Sequence, residues 1–299
     1  MKQGSVCVDL PREVTTSAIA LDALALELLR GDEPFSAESI HQVRVTTKRL
    51  RAHWNMVRPE LRKKDYLAAK ERLRLAAKCV AGQRDATVML ATFDELIEAA
   101  HSAKLRHSLV AVRQAAEEFF AAETAQVPGA TERQKLIDAL DADRRQWEKL
   151  ELGRADASLL EHGLRDTYAR ARRSGRFAAR GQRPEDFHRW RRWTKYLFYQ
   201  LEVIERFDPE RLSRYIRELK SLGKLLGRSQ DYAVTRRLVR DKLDLQKQDQ
   251  RRALSAIDRK DRSVLRRSRA LRARLFDRRP GKFVGALSDE MGLAAGGRR

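Results

Sequence analysis

The chain has 299 residues, 42% of them hydrophobic and 35% charged, with 63 Lys and Arg against 42 Asp and Glu for a formal net charge of +21. That length is enough for one large or two ordinary hydrophobic cores. No apolar run of about 18 residues is present, so no membrane-spanning helix is expected, and Met1 to Ala20 lacks the apolar centre of a secretion signal.

Glycine and proline are scarce, alternating Val/Ile/Thr runs are nearly absent, and the long segments carry a helical period, so the expected fold class is all-α. In the first half, apolar Ile19, Leu21, Leu24, Leu26 and Leu28 predict a helix over 13–29, closed by Gly31 to Pro34. A second helix follows Ser36 and stops before Pro59, since the residue preceding proline disfavours helical geometry. A third covers 60–80 and breaks at Gly82, a fourth covers 86–100 with Asp85 as its cap, and a fifth covers 102–124. Val127-Pro128-Gly129 reads as a linker.

The second half repeats this plan. Helices over 132–149 and 157–174 precede a basic loop, 175–183, and Pro184 suits the first turn of the next helix, which ends near Asp208-Pro209. A helix over 210–226 is expected to break at Gly227, with Asp231 capping the next. Two further helices reach about Asp277, and the tail 279–299 is expected to be loose. The division implied is a first helical bundle over 1–126, a second over 132–278, and the tail.

One basic motif occurs in both halves. His41, Arg44, Lys48 and Leu50 recur as His188, Arg191, Lys195 and Leu197 at an offset of 147, and Arg74, Lys78, Asp85 and Val88 match Lys220, Lys224, Asp231 and Val234 at 146. Two matched blocks in the same order point to a duplicated unit, and hence to two pseudo-symmetric bundles sharing a basic surface. At about 100° per residue, His41, Arg44, Lys48 and Arg51 fall at about 0°, 300°, 340° and 280°, one narrow stripe. Val43, Leu50, Trp54 and Val57 form the adjoining apolar face. His188, Arg191 and Lys195 make the same stripe on the second helix, with Arg192 beside it. Crowded like charges repel, so an anion-binding cleft accounts for them. Arg74, Lys78, Lys220 and Lys224 add cations one turn apart, and Arg84 and Arg228 lie at the expected breaks. Arg forks bind phosphate oxygens through two hydrogen bonds, and Lys adds a mobile point charge. A histidine among such cations is expected to have a low pKa when the site is empty. The four tryptophans, Trp54, Trp147, Trp190 and Trp193, sit at core spacing.

The spacing His-x2-Arg-x3-Lys-x-Leu, with Leu226-Gly227-Arg228-Ser229-Gln230-Asp231 as a second block, resembles the CHAD family (conserved histidine α-helical domain) over roughly residues 10 to 278. The resemblance implies two helical bundles related by a pseudo-twofold axis. It further implies a basic surface or pore between them that binds inorganic polyphosphate, and association with polyphosphate granules. It assigns binding to His41, Arg44, Lys48, Arg51, His188, Arg191 and Lys195; the repeat adds the other cations named above. Tyr196 and Phe198 stand where basic residues are usual, and Ala81 replaces the first block's glycine. No fused triphosphate-hydrolysing tunnel domain is visible.

The expected function is therefore non-catalytic polyphosphate binding in the cytoplasm, with no cofactor, no metal and no membrane insertion. Cys7 and Cys79, in no metal or redox spacing, fit a reducing compartment. The chain has no P-loop, no metal-ligand cluster and no dense carboxylate group of the kind phosphoryl transfer uses. The alternative is non-specific RNA or DNA binding by the basic C-terminal half: residues 1–150 hold 24 basic and 22 acidic residues, the remainder 39 and 20.

Overall fold

The computed structural model describes residues 9–31, 36–79, 84–122, 129–153, 155–181 and 183–291. Among them every regular element is helical, as composition requires. The helices are α1 (Leu10–Arg30), α2 (Ala37–Val57), α3 (Lys63–Cys79), α4 (Arg84–Glu98), α5 (Ala103–Ala122) and α6 (Ala130–Glu148). They continue with the single turn α7 (Asp156–Ser158), α8 (Arg165–Gly181), α9 (Pro184–Ile204), α10 (Pro209–Asp241), α11 (Lys247–Leu275) and α12 (Pro280–Glu290). Short 3-10 turns follow α2 and α9, and a π-helical turn, Leu159–Leu164, leads from α7 into α8.

The starts follow local chemistry. The Asp9 carboxylate accepts from the Arg12 amide at 3.0 Å and the Ser36 hydroxyl from the Ser39 amide at 3.0 Å, meeting free donors of the first turn. Pro184, Pro209 and Pro280 occupy first-turn positions, where a missing N–H costs nothing.

Three expectations are corrected. Residues 175–181, expected within a basic loop, belong to α8. Gly175 is buried there, and a Cβ on it would stand 2.8 Å from the Trp190 indole nitrogen. This glycine permits two helices to approach rather than ending one. The helix over 210–226 does not break at Gly227: α10 runs for 33 residues, about 50 Å, so Asp231 lies inside it and caps nothing. Gly227 and Gly223 face α9, where the space a Cβ would fill is bordered by Arg191 and Lys195. A helix interior tolerates the roughly 1 kcal/mol a glycine costs when tertiary packing uses the gap. The expected loose tail contains α12, whose Phe283, Val284 and Leu287 are buried and whose Phe283 ring stacks on Tyr168 at 4.1 Å. Gly82, the Asp85 and Arg84 side chains, and Val127-Pro128 lie outside the described residues.

Two apolar cores form, and each draws on both halves of the chain. The larger gathers α1, α2, α3, α6, α8, α9, α12 and the first half of α10. The smaller joins α4 and α5 to the second half of α10 and to α11. Trp54 and Trp147 pack ring on ring in the larger core, 3.9 Å between centroids with the planes tilted by 30°, and both donate their indole N–H to the buried Asp143 carboxylate. Arg72 of α3 donates to the same group at 2.9 Å. The two helices that carry the repeated motif, α2 and α9, pack against each other.

A cation-lined cleft between the motif helices

A cleft of about 1080 Å³ opens where α2, α3, α8 and α9 meet. Its lining includes Arg51, Arg58, Lys63, Lys70, Arg74, Arg165, Arg170 and Arg192, against the carboxylates of Glu161 and Asp166 alone. Eight cations facing two anions leave a strong positive field in a concave, partly apolar surface, which focuses anions. Asp166 takes up two of them: it accepts from Arg170 at 2.7 Å and from Arg58 at 3.4 Å. Arg74 is held by Glu71 on its own helix, and Arg51 donates to the Leu73 carbonyl at 2.6 Å. Lys63, Lys70, Arg165 and Arg192 make no ion pair among the described residues. Tyr66, Trp193 and Tyr196 line the same walls. The Arg170 guanidinium lies 4.9 Å from the Trp193 ring and that of Arg58 lies 5.6 Å from Tyr66, so the aromatic faces help hold the cations in place.

Of the residues singled out from sequence, Arg51, Arg74 and Arg192 line this cleft. Arg191 and Lys195 leave α9 on its α10 side. The Lys195 stem passes 3.2 Å from where a Cβ on Gly223 would stand, and the Arg191 guanidinium passes 3.5 Å from that of Gly227. The pairing of 195 with 223 and 191 with 227 shows α9 and α10 running antiparallel, with one residue per turn in register. Burial, then Arg191, Lys220 and Arg49, press the Lys195 ammonium below its ordinary pKa, while Glu202 opposes them. Lys220 and Lys224 are exposed on α10. The His188 imidazole is lowered by burial first and then by Arg192 and Arg191, while a hydrogen bond with Gln230 opposes the shift; neighbouring charge, the cause expected from sequence, is the smaller one.

The remaining positions divide differently. His41, Arg44 and Lys48 lie half-buried on the N-terminal part of α2 and are not in the cleft lining. Lys78 is exposed in the last turn of α3. Arg228 sits mid-helix on α10, paired with Glu95 of α4, and therefore supports the junction between α4 and α10. Trp54, Trp147 and Trp190 are fully buried, as spacing predicts, whereas Trp193 is only half-buried and faces the cleft.

Five cleft cations escape the repeat argument. Arg58 follows Arg51 by seven residues, and Lys63, Lys70 and Arg74 share one face of α3, so extending the helical period by two turns would have found them. Arg165 and Arg170 come from α8, whose approach to α2 no sequence period encodes. That approach depends on Gly163 in the π-helical turn: a Cβ there would lie 2.0 Å from the Met56 carbonyl oxygen.

Fold and cleft together define an all-helical protein whose two central helices present a cation-lined concavity. The family model for the CHAD domain matches residues 19–240, and the chain belongs to the CHAD family. The crystal structure of the CHAD domain from the plant Ricinus communis is similar to it, with a TM-score of 0.55 and 17% identity over 98% of this chain and 96% of that one. At that identity the likeness is one of fold. No curated protein sequence matches this chain. Among the described residues no helix is long and apolar enough to cross a membrane.

Proposed function

We propose that this protein is a non-catalytic binder of inorganic polyphosphate, held in the basic cleft between α2 and α9, and that it associates with polyphosphate granules in the cytoplasm. The observation that carries this reading is the composition of the cleft lining, eight Arg and Lys side chains against two carboxylates, four of the cations without a partner among the described residues. Polyphosphate is a flexible chain of charges without bases, so its binder needs many cations and no hydrogen-bond readout of an edge. The Arg forks of Arg51, Arg58, Arg165, Arg170 and Arg192 supply paired donors to phosphate oxygens, while Lys63 and Lys70 supply point charges. From Arg192 the chain continues across α9 toward His188, Arg191, Lys195, Lys220 and Lys224. On this reading His41, Arg44, Lys48 and Lys78 extend the basic track at its α2 and α3 end. Membership of the CHAD family supports the same ligand.

The test is a competition. Labelled long-chain polyphosphate on the protein is challenged with single-stranded RNA and duplex DNA at equal phosphate, in about 150 mM salt. The wild type is compared with R51A/R192A and with R191A/K195A. Polyphosphate resisting both nucleic acids, and released by either pair of substitutions, is the expected result. Equal displacement by RNA, with both variants binding like wild type, would replace this reading with general polyanion binding by the basic C-terminal half.

A further inference from the structure

A second group of cations lies where α8 meets α11, apart from the cleft. Arg172 and Arg176 stand one turn apart on α8, Arg269 and Arg272 one turn apart on α11, and the two helices are in contact. Gly175 brings them together: a Cβ there would stand 3.0 Å from Arg272 Cδ, so the Arg272 stem lies directly on the α8 backbone. Arg172 is anchored through Nε, which donates to the Phe276 carbonyl at 2.9 Å.

None of the four makes an ion pair among the described residues, although arginines close by on the same helices do. Arg170 pairs with Asp166 and Arg274 with Glu218. The Nε atoms of Arg269 and Arg272 are buried and donate to no acceptor among the described residues. A buried N–H without an acceptor is unfavourable, and so is the crowding of like charges. Burial, then Arg176, Arg172 and Arg269, depress the Arg272 guanidinium below its ordinary pKa. One anion with several acceptor oxygens, bound by the terminal guanidinium nitrogens, would relieve the crowding of charge.

We infer that Arg172, Arg176, Arg269 and Arg272 form a second oxyanion site, which takes a phosphate group between the two helices. Two pairs of forks carried by two different helices suit a tetrahedral, multiply charged oxyanion better than a flat monovalent carboxylate. The assignment stands on the α8–α11 junction alone and does not need the cleft reading. With both sites filled, one protein molecule engages phosphate chains at two separate places, and binding to long chains gains from multivalency.

Calorimetric titration of the full chain with tripolyphosphate, at low salt and in a buffer free of phosphate and sulfate, tests it. Wild type is compared with R269Q/R272Q, with R172Q/R176Q and with the cleft variant R51A/R192A. Two binding events are expected in wild type, one of them weakened at least ~10-fold by either pair of glutamines and retained in the cleft variant. Circular dichroism and melting temperature verify folding; Arg176 is exposed, so the α8 pair carries the test if the α11 pair unfolds. Unchanged titrations in both folded glutamine variants overturn the inference, as does loss of all binding in R51A/R192A. A cluster event present in wild type and in R51A/R192A, with no second event in either protein, supports the inference while refuting the cleft reading.

Discussion

At the scale of single residues, the clearest consequences concern carboxylates. Asp22 is fully buried on α1, and neither of its oxygens has a hydrogen-bond partner among the described residues. Burial first, then the neighbouring Asp143 carboxylate, raise its pKa to about 9, although Arg72 and Arg144 oppose the shift. A carboxyl raised on folding binds more protons in the folded state than in the unfolded one between its two pKa values. Stability therefore falls as pH rises from the ordinary carboxylate range to about 9 and levels off beyond. The melting temperature should decline from pH 6 to pH 9 in wild type and decline less in Asp22→Asn, and an equal slope in the two proteins would remove Asp22 from the account. Asp166 lies in the cleft and neutralises Arg58 and Arg170, in ion pairs that are nearly half exposed. Such pairs contribute about 0–1 kcal/mol to stability. Asp166→Asn should leave the melting temperature within a few degrees of wild type yet tighten polyphosphate binding several-fold, as measured by fluorescence anisotropy, because two guanidiniums are released toward the ligand. The histidines divide at this scale too. His53 is buried and held near pKa 4 by burial, donating and accepting between the Arg49 carbonyl and Ser17, so it is a packing residue. His188 sits instead among Arg191, Arg192 and the Gln230 side chain.

At the scale of elements, glycines decide where helices meet. Gly163 lets the π-helical turn touch the end of α2, Gly175 lets α8 receive Trp190 and Arg272, and Gly223 with Gly227 lets α10 receive Lys195 and Arg191. The first is the tightest, because the atom in the way is a backbone carbonyl that no rotamer change can remove. Gly163→Ala should lower the unfolding free energy by about 1–3 kcal/mol, the range for overpacking a filled site, in urea titration. It should also weaken polyphosphate binding, since Arg165 and Arg170 enter the cleft from α8, whose start that contact helps to position. At Gly223 the obstacle is a flexible lysine stem, which can shift, so alanine there is expected to be far milder. This also explains why a sequence reading stops α10 too early. Glycine ends helices when it adopts a left-handed conformation at the C-terminus, but inside a helix it marks a close neighbour, and only the neighbour distinguishes the two uses.

At the scale of the whole molecule, both cores mix the two halves of the chain, with α10 passing through both. The last helix closes the larger one. Phe283, Val284 and Leu287 of α12 pack toward Tyr168 and Tyr215, with the Tyr215 and Phe283 ring centroids 5.4 Å apart. Three such buried side chains are each worth about 1.5–3 kcal/mol. A chain truncated after Arg279 should lose at least about 4 kcal/mol of stability in denaturant titration and expose Tyr168 to solvent. An unchanged unfolding midpoint would restore the expectation of a loose tail.

Composition, periodicity and helix-end chemistry were enough for the all-α class, for most helix boundaries to within a few residues, and for the family. Each of these rests on local information: periodicity, capping residues, prolines and spacing within one helix. Arg51, Arg74 and Arg192, singled out from spacing alone, all line the cleft. Helix packing, which no single segment encodes, shows that Arg58, Lys63, Lys70, Arg165 and Arg170 complete the cleft, that Arg228 pairs with Glu95, and that residues 280–290 form a core helix. The reason is physical. A side chain's direction follows from its own helix, but the surface it meets depends on how closely two helices approach. That distance is set by glycines and by buried volumes supplied from different elements, which for Gly163 and Met56 lie more than a hundred residues apart.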